Sequence, residues 1–382
     1  MKIVIAPDSF KGSLSALEVC ECVKKGIDKV LSNVEVIKVP LSDGGEGITQ
    51  TLIEAIGGIY EHHIVADPLK RTVKAYYGVL GDKETAVIEV AQASGLVHLK
   101  PSEKNPLVAT SLGTGQLLMH AVKKGYRKFI IGLGGSGTND GGIGILIALG
   151  VRFFDNSGQL IEMNQVADIL KVRKLHLEEV PKEFNDCEFL VASDVSNILC
   201  GPNGATTIFG PQKGVNQSNH HILERALKHF GTILEEQFQD TVLNFPGSGA
   251  AGGIGAIFKA IFKARFSSGI ELVDKYTELE SKIATADLIF TGEGKLDTQT
   301  LSGKVIYGVG KLASKYEKPV IALCGVNELD DKGLDTLNLI AAFSIVKGPC
   351  TVDYAIENAA ELVTNLTANI VRTILIFNKG NK

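Results

Sequence analysis

The two ends of the chain alternate short apolar runs with helical patterns, and this alternation limits the fold more than any other feature. KIVIAP (2–7) is followed by a stretch whose apolar residues recur every three or four positions, and EVIKVP (35–40) leads into ITQTLIEAIGG. The same order returns near the other end, where DLIF (287–290) precedes a helical stretch and PVIALCG. Alternating strands and helices of this kind predict a parallel sheet with helices on both faces.

The middle of the chain, from about residue 61, has a different pattern. HHIVADPLKRTVKAYYGVLGDKETAVIEVAQ predicts a meander of short strands, with turns at Pro68 and at Gly81-Asp82. Helical and extended patterns then alternate again, and residues 218–238 predict an amphipathic helix with its apolar residues along one side. The middle segment therefore predicts a second α/β region with a mixed sheet.

Together these patterns predict two α/β domains, which a chain of 382 residues is long enough to form. We expect a Rossmann-like, doubly wound domain built from both chain ends, residues 1–63 and 284–382, and an inserted α/β domain with a mixed sheet over residues 64–283. Ligands of open α/β sheets bind beyond the carboxyl ends of the strands. We therefore expect the active site in a cleft between the two domains.

Charge and composition exclude several classes of protein. The formal net charge is −4 and the chain has no Trp, so nothing predicts a nucleic-acid partner. No apolar run reaches the roughly 18 residues that a membrane span needs, and MKIVIAPDSF does not resemble a signal peptide. The six Cys are scattered, which disfavours zinc and favours reduced thiols. We expect a cytoplasmic protein with no nucleic-acid or membrane partner, in which the 218–238 helix could form a homodimer interface.

A glycine-rich loop, GLGGSGTNDGG (132–142), separates the apolar runs KFII and IGILIAL. Gly132, Gly134 and Gly137 match the dinucleotide pattern G-x-G-x-x-G, and the next predicted strand ends on Asp155, near the place of a ribose-binding acid. However, T-N-D-G-G separates the third glycine from the helix, and the loop does not follow the first strand. An NAD-dependent hydroxy-acid dehydrogenase therefore stays an alternative.

The same loop can also be interpreted as a phosphate-binding loop. Backbone N–H groups at a helix start hold anions, glycines let the anion approach, and the hydroxyls of Ser136 and Thr138 would add donors. Asp140 would repel a bare phosphate, so it is either a helix cap or a metal ligand. The alternative is a purely structural role, in which the glycines only allow tight turns and close helix packing. The candidate contacts of a nucleotide are Gly134, Gly135, Ser136, Gly137, Thr138 and Asp140.

Carboxylates recur where predicted strands end. They are Asp8, Asp43, Glu46, Asp194, Glu293 and Asp297. A dehydrogenase needs one acid for the ribose, whereas Mg²⁺ on a nucleotide needs several hard oxygen ligands around an anion site. Any single one of these acids could instead cap a helix. As a set they favour Mg²⁺-nucleotide chemistry.

Three cationic side chains accompany these loops. Lys11 lies next to the first strand and close to Ser13, where it could bind a transferring phosphoryl group or a substrate carboxylate. Lys213 in FGPQKG could do the same, and Arg71 in DPLKR could hold a carboxylate through two hydrogen bonds. Each could equally be a solvated surface residue. Neither G-x-S-x-G nor a Walker A sequence occurs, which disfavours a serine hydrolase and a P-loop kinase.

Eight segments, taken together and in order, carry a more specific signal than any single loop. They are APDSFKGSLSA (6–16), LSDGGEG (41–47), DPLKR (67–71), GLGGSGTNDGGIG (132–144), SDVSNILCGPNGA (193–205), FGPQKG (209–214), GAAGGIGA (249–256) and ADLIFTGEGKLDTQTLSGK (286–304). With them the chain resembles the bacterial glycerate kinase family, type I, nearly from end to end. Gly137 stands where that family usually has Ala, so the third glycine of the dinucleotide pattern looks incidental.

This resemblance implies an ATP-dependent kinase that uses Mg²⁺ and phosphorylates D-glycerate, at the 2-hydroxyl in preference to the 3-hydroxyl. It implies Mg-ATP across residues 134–140, Lys11 stabilising the transferred phosphoryl group, and Asp194 orienting or deprotonating the attacking hydroxyl. A non-catalytic sensor of a small acid or nucleotide is a further alternative, which the charged loops disfavour. The implied metal or ribose contacts are Asp43, Glu46, Glu293 and Asp297. The implied glycerate contacts are Ser13, Arg71 and Lys213.

Overall fold

A computed structural model describes residues 1–42, 45, 47–298, 300–302 and 305–379 of the chain. Backbone contacts divide the chain into two compact units. The first comprises Met1–Asp43, Glu54–Ile56 and Gly269–Lys382, and the second comprises Gly44–Ile53 and Gly57–Ser268.

Most of the longer strands coincide with apolar runs of the sequence, whose β-branched residues suit a pleated, buried surface. They are β1 (Lys2–Ile5), β2 (Glu35–Lys38), β3 (Gly58–Ala66), β4 (Thr72–Leu80), β5 (Thr85–Glu89), β6 (Lys128–Gly132), β7 (Arg152–Phe154), β8 (Lys174–His176), β9 (Glu188–Ala192), β10 (Arg265–Ser267), β11 (Leu288–Leu296), β12 (Val320–Asn327) and β13 (Ala341–Ser344).

Side-chain capping is seen at the start of some helices. Ser15 precedes the first helix and forms a capping box with Glu18, in which each side chain accepts the other residue's backbone N–H, at 3.2 and 2.8 Å. The helices are α1 (Ala16–Asp28), α2 (Ile48–Ile56), α3 (Val90–Ser94), α4 (Leu112–Lys123), α5 (Ile143–Ala148), α6 (Ala205–Phe209), α7 (His220–Phe238), α8 (Ala250–Ala260), α9 (Gly269–Thr277), α10 (Leu279–Ala284), α11 (Val305–Lys315), α12 (Asp331–Thr336), α13 (Val352–Glu357) and α14 (Ala359–Lys379).

The sheet of the first unit is parallel throughout and has the order β13-β12-β11-β1-β2. Ile3 and Ile5 of β1 pack on the side of α1 and α14, while Val4 between them is also fully buried. Helices therefore cover both faces. From β1 the chain order runs outward in both directions, so β1 and β11 form a topological switch point, and ligands of such sheets bind beyond the carboxyl ends of the strands there.

The sheet of the second unit is mixed and has the order β10-β9-β6-β5-β4-β3. Strands β5, β6, β9 and β10 are parallel, and β3 and β4 add an antiparallel hairpin. The predicted fold class, a Rossmann-like domain from both chain ends and an inserted α/β domain with a mixed sheet, is therefore confirmed. The loops after β6 and β9 lie side by side at one sheet edge, because neighbouring parallel strands end together.

The unit boundaries differ from those expected from the sequence, 1–63 with 284–382 against 64–283. β3 starts at Gly58 and pairs with β4 along its whole length, so it belongs to the second unit. At the other junction α9 and α10 pack against α11, so the first unit resumes at Gly269. The expected βαβα order of the first segment is also altered, since residues 48–53 of α2 belong to the second unit.

The amphipathic helix predicted over 218–238 is α7. Its apolar residues, among them Leu227 and Phe230, are fully buried in the core of the second unit. This face is therefore used within the fold and is closed to a second copy, while the expected homodimer itself stays a prediction. Among the described residues, no helix is long and apolar enough to cross a membrane.

Candidate active site

A cavity of about 540 Å³ lies at the carboxyl edge of the first unit's sheet. Its lining comes from the turn after β1, the ends of β11 and β12, and the segment from β13 through α13. This is the edge at which the switch point between β1 and β11 predicts a ligand. Four of the ionisable residues that the sequence analysis singled out line this cavity. They are Asp8, Lys11, Glu293 and Asp297.

The turn after β1 brings Asp8 and Lys11 to this cavity. Asp8 is buried, its N–H donates to Gly292 O (2.8 Å), and its Oδ1 accepts the N–H of Ser9 (2.6 Å). A tight turn follows, in which Phe10 N–H donates to the carbonyl of residue 14 (2.8 Å) and Gly12 takes φ +80°. Only glycine adopts that φ at little cost. Lys11 is thereby held exposed at the tip of the turn.

Ser13 ends the same turn, and the structure gives its hydroxyl a partner within the protein. Ser13 Oγ donates to the carbonyl of Ile356 in α13, at 2.8 Å. The predicted substrate contact is thus engaged in fastening α13 to the turn that carries Lys11. Direct contact of Ser13 with glycerate stays a prediction.

Glu293 was expected in a loop after the strand DLIF, and this was wrong. β11 continues to Leu296, because its pairing with β12 runs from Ile289 to Leu296. Glu293 is a buried strand residue whose Oε1 accepts the hydroxyl of Thr300. Asp297 follows the strand and accepts the backbone N–H of Thr300 with its own carbonyl, at 3.0 Å.

The expected metal ligands are Asp43, Glu46, Glu293 and Asp297. Asp43 and Glu46 lie outside the described residues. Among the residues that the structure does describe, no three His, Cys, Asp or Glu side chains are grouped to hold a metal ion. Mg²⁺ usually keeps several waters and takes one or two carboxylates together with phosphate oxygens. The carboxylates of Asp8, Glu293 and Asp297 around one cavity are donors of that kind.

The glycine loop lies in the second unit and is more enclosed than a dinucleotide loop. Gly134 and Gly135 are partly exposed, whereas residues 136–140 are buried. The N–H of Gly137 donates to the carbonyl of Ser94 at 2.8 Å, so that donor is already used. Only the Gly134-Gly135 part of the loop faces outward for a ligand.

The dinucleotide interpretation also fails on topology. In that motif the strand after the helix joins the same parallel sheet. Here β7, which ends just before Asp155, pairs antiparallel with β8 in a separate two-stranded sheet. The Asp155 carboxylate accepts the N–H and hydroxyl of Ser157, at 2.8 and 2.7 Å, and therefore holds a turn.

Asp140 is the cap of the helix start, one of the two roles expected for it. Its buried carboxylate accepts the N–H and hydroxyl of Ser111, both at 2.8 Å, and the N–H groups of Gly142 and Gly144, both at 3.1 Å. These two glycines flank the start of α5. The protein's own carboxylate thus occupies the helix terminus that was expected to hold phosphate.

Lys213, expected to contact substrate, is almost completely buried, with 1% of its surface exposed. Its Nζ donates to Ser136 Oγ and to the carbonyl of Thr138, both at 2.8 Å. Burial lowers the pKa of this ammonium from 10.5 to about 7, and the negative charge of Asp140 opposes the shift. Lys213 therefore braces the glycine loop from inside.

The start of α8 packs closely against the glycine loop and has an unusual backbone conformation. Ala251, Gly252 and Gly253 all have positive φ, from +55° to +92°. A Cβ on Gly252 would lie 2.1 Å from the carbonyl oxygen of Thr138, so glycine is needed for this close approach. Within the described part of the chain, Thr138 Oγ1 and Asn139 Oδ1 are buried without a hydrogen-bond partner.

Asp194, the predicted base, follows β9 at the sheet edge that also carries the glycine loop after β6. It is partly exposed, and the neighbouring Ser193 N–H donates to Ser267 O at 3.1 Å, which anchors the segment. The two loops are thus brought to one edge of the second unit's sheet.

Arg71 follows the predicted turn and is held by the protein's own acids. Its Nε donates to Asp67 at 2.6 Å, and its two terminal nitrogens donate to Glu103 (2.9 Å) and to the carbonyl of His98 (2.8 Å). The hydrogen bonds that the guanidinium donates to Asp67 and Glu103 raise its pKa. A substrate carboxylate would have to compete with these acceptors.

Glu89 is a residue that sequence reasoning missed. It ends the parallel strand β5, is 1% exposed, and its carboxylate accepts the N–H groups of Gly47 and Thr49, at 2.9 and 2.8 Å, at the start of α2. It thereby fixes the helix that follows LSDGGEG. The signal was present, because Glu89 is another carboxylate at the end of an apolar run.

Comparison with known proteins gives the resemblance a firm basis. The model of the glycerate kinase family matches residues 3–375. A Bacillus subtilis glycerate kinase is 41% identical over 375 residues, and an Escherichia coli glycerate 2-kinase is 40% identical over 377; each match covers 98% of both chains. A solved Salmonella typhimurium LT2 structure assigned as glycerate kinase 2 superposes with a TM-score of 0.86 at 40% identity, over 99% of both chains. These findings give the dehydrogenase alternative no support, and the chain belongs to the glycerate kinase family.

Proposed function

We propose that this protein transfers the γ-phosphoryl group of ATP to D-glycerate, at the 2-hydroxyl in preference to the 3-hydroxyl, with Mg²⁺. Family membership supports the kinase reaction, and the name of the Escherichia coli relative supports the 2-hydroxyl. The structural observation that carries the proposal is the cavity at the switch point of the first unit, with Lys11 and carboxylates at its lining.

The carboxylates of this cavity fit Mg²⁺. We propose that Glu293 and Asp297 bind it together with the ATP phosphates, and that Asp43 and Glu46, outside the described residues, contribute metal or ribose contacts. Mg²⁺ bound there would neutralise charge that develops on the phosphate oxygens. Asp8, buried at the same cavity, is a further candidate.

Lys11 is proposed to stabilise the transferred phosphoryl group. Its position at the tip of a glycine-supported turn gives the ammonium reach into the cavity, and a lysine interacts with phosphate as a compact point charge. In the reaction the glycerate hydroxyl oxygen bonds to the γ-phosphorus while the bond from phosphorus to the bridging oxygen of ADP breaks.

Asp194 is proposed to orient the hydroxyl and take its proton as the new bond forms. We propose that the outward part of the glycine loop, Gly134 and Gly135, contacts the nucleotide phosphates, and that Ser136, Gly137, Thr138 and Asp140 support this segment from within. Arg71 is proposed to bind the glycerate carboxylate, and Lys213 to act by bracing the loop. Joint action of the two units on one substrate stays a prediction from the sequence.

The test is direct. The purified protein is incubated with D-glycerate, ATP and Mg²⁺, ADP release is followed by a coupled assay, and the product is identified by ³¹P NMR. We expect 2-phosphoglycerate. A signal of 3-phosphoglycerate alone would show that the 3-hydroxyl is phosphorylated. If no ADP is released, a non-catalytic binding protein is the better interpretation. Omission of Mg²⁺ should abolish turnover.

A cytoplasmic location and a homodimer are also proposals that rest on the sequence alone. Size-exclusion chromatography with light scattering measures the oligomeric state. A monomer over the working concentration range would contradict the homodimer.

A further inference from the structure

The cavity of the first unit has an apolar wall that the phosphoryl-transfer residues do not need. Val326 at the end of β12 is 50% exposed, and Val352 and Ile356 of α13 are 73% and 39% exposed. All three line the same cavity. Large apolar side chains grouped on one concave surface indicate a ligand that removes them from water.

The charged residues lie on other elements of the same cavity. Lys11 comes from the turn after β1, and Glu293 and Lys295 come from β11. The hydrogen bond from Ser13 to the carbonyl of Ile356 ties the Lys11 turn to α13. The cavity therefore offers exposed apolar side chains together with charged ones, which suits a ligand with an apolar body and an anionic end.

The size of the cavity indicates which of the two substrates, ATP or glycerate, it binds. Glycerate is a small acid in which every carbon carries oxygen, so it has no apolar part to bury and would leave most of the 540 Å³ unfilled. Sites of roughly 300–1,000 Å³ with apolar linings and a few polar groups bind molecules of nucleotide size. A purine face gains from contact with Val and Ile side chains, since it leaves water there.

We propose that this cavity binds the adenosine portion of ATP, with the purine against Val326, Val352 and Ile356 and the triphosphate toward Lys11. The inference rests on the proposed kinase function and deepens it by naming the nucleotide subsite. It places base recognition in the first unit, whereas the family resemblance implied Mg-ATP across the glycine loop of the second and only metal or ribose contacts from the first unit's acids.

Two charge substitutions test the wall. Val352→Glu and Ile356→Glu change exposed residues, so the fold should persist, and each sets a carboxylate where the purine packs. We expect the KM for ATP to rise at least tenfold, with the KM for D-glycerate changed by less than twofold. The matched control is Ile340→Glu, at an Ile of the same unit whose exposure (63%) lies between those of the two tested residues and which does not line the cavity. It should behave like the wild type.

The opposite pattern overturns the proposal. A rise in the KM for glycerate with an unchanged KM for ATP would assign the cavity to the acceptor. Kinetics of both variants equal to those of Ile340→Glu would show that the wall binds no substrate. The wild type is assayed in parallel, and if it forms no phosphoglycerate, the kinase function fails rather than the subsite.

Photolabelling locates the base independently of turnover. The wild-type protein is irradiated with 8-azido-ATP and Mg²⁺, and labelled peptides are identified by mass spectrometry. We expect label within residues 345–359, protected by adenosine as well as by ATP. Label confined to residues 57–268 would overturn the proposal, and so would protection by inorganic tripolyphosphate without protection by adenosine, because the cavity would then hold phosphates only.

Discussion

Replacement of Lys213 by Met tests whether a buried, charged brace holds the glycine loop. Met has a similar length, no charge and no donor. The substitution removes the cost of burying the ammonium, but it also leaves Ser136 Oγ and the Thr138 carbonyl without their 2.8 Å donor. Each orphaned group costs about 1–3 kcal/mol. At neutral pH the two effects oppose each other, so the net change in stability is small and is not the decisive observation.

The decisive observation is the pH dependence of the difference in stability between the wild type and the variant, because Lys213 is the titrating group in which the two differ. Its pKa is about 7 in the folded protein and 10.5 in the unfolded chain, so between these values the unfolded chain binds more protons. The contribution of Lys213 to the free energy of unfolding therefore rises with pH, by about 1.4 kcal/mol per pH unit within this window. Below pH 7 both states are protonated and the burial cost is at its full value.

The measurement is urea unfolding of the wild type and Lys213→Met at pH 7.5 and 9.5. Relative to the variant, the wild type should gain about 2–3 kcal/mol between these two pH values. Other groups titrate in both proteins and cancel in the comparison. Lys123→Met, at an exposed lysine of α4, is the control and should follow the wild type. Parallel pH curves for the wild type and Lys213→Met would refute the buried, low-pKa ammonium.

Three further substitutions test single roles. Asp194→Asn should lower kcat at least a hundredfold with an unchanged melting temperature, and near-normal turnover would remove it from the mechanism. Asp140→Asn replaces an acceptor of four hydrogen bonds by a group that also donates, so urea unfolding should show a loss of about 2–4 kcal/mol; an unchanged midpoint would contradict its capping role. Gly252→Ala sets a Cβ 2.1 Å from Thr138 O and should lower the free energy of unfolding by roughly 2–4 kcal/mol. The control Gly158→Ala, with a similar φ and open space around the Cβ, should lower it by about 1 kcal/mol. Equal losses would show that the close approach of Gly252 to Thr138 does not matter.

The sequence was most informative where local pattern and tertiary structure agree. Apolar runs such as KIVIAP and KFII form strands, and the change of pattern near residue 61 falls close to the first strand of the mixed sheet, which begins at Gly58. The pattern of DLIF failed to predict the length of β11, because TGEGKL is polar and glycine-rich and becomes a strand only through pairing with β12. Glu293 was therefore found by type but misplaced in structure.

The sequence predicted which types of residue form the candidate site, but it did not predict their burial or their hydrogen-bond partners. Sequence alone does not tell that Lys213 is buried or that Arg71 is already engaged by Asp67, since both depend on neighbours distant in the chain. The alternative roles for Asp140 also could not be separated until the N–H groups of Gly142 and Gly144 were seen to point at it. Burial and partner choice are tertiary properties, so the pattern left them open.

The central position of β1 has a consequence for how the chain is made. β1 pairs with β2 on one side and with β11, about three quarters of the chain later, on the other. A ribosome adding about 5–20 residues per second needs roughly 10–50 s to pass from one partner to the other. During that time the second unit can complete its own sheet, while β1 and β2 present an unpaired edge to the cell. Nascent chains stalled between residues 57 and 287 should therefore be the most dependent on chaperones.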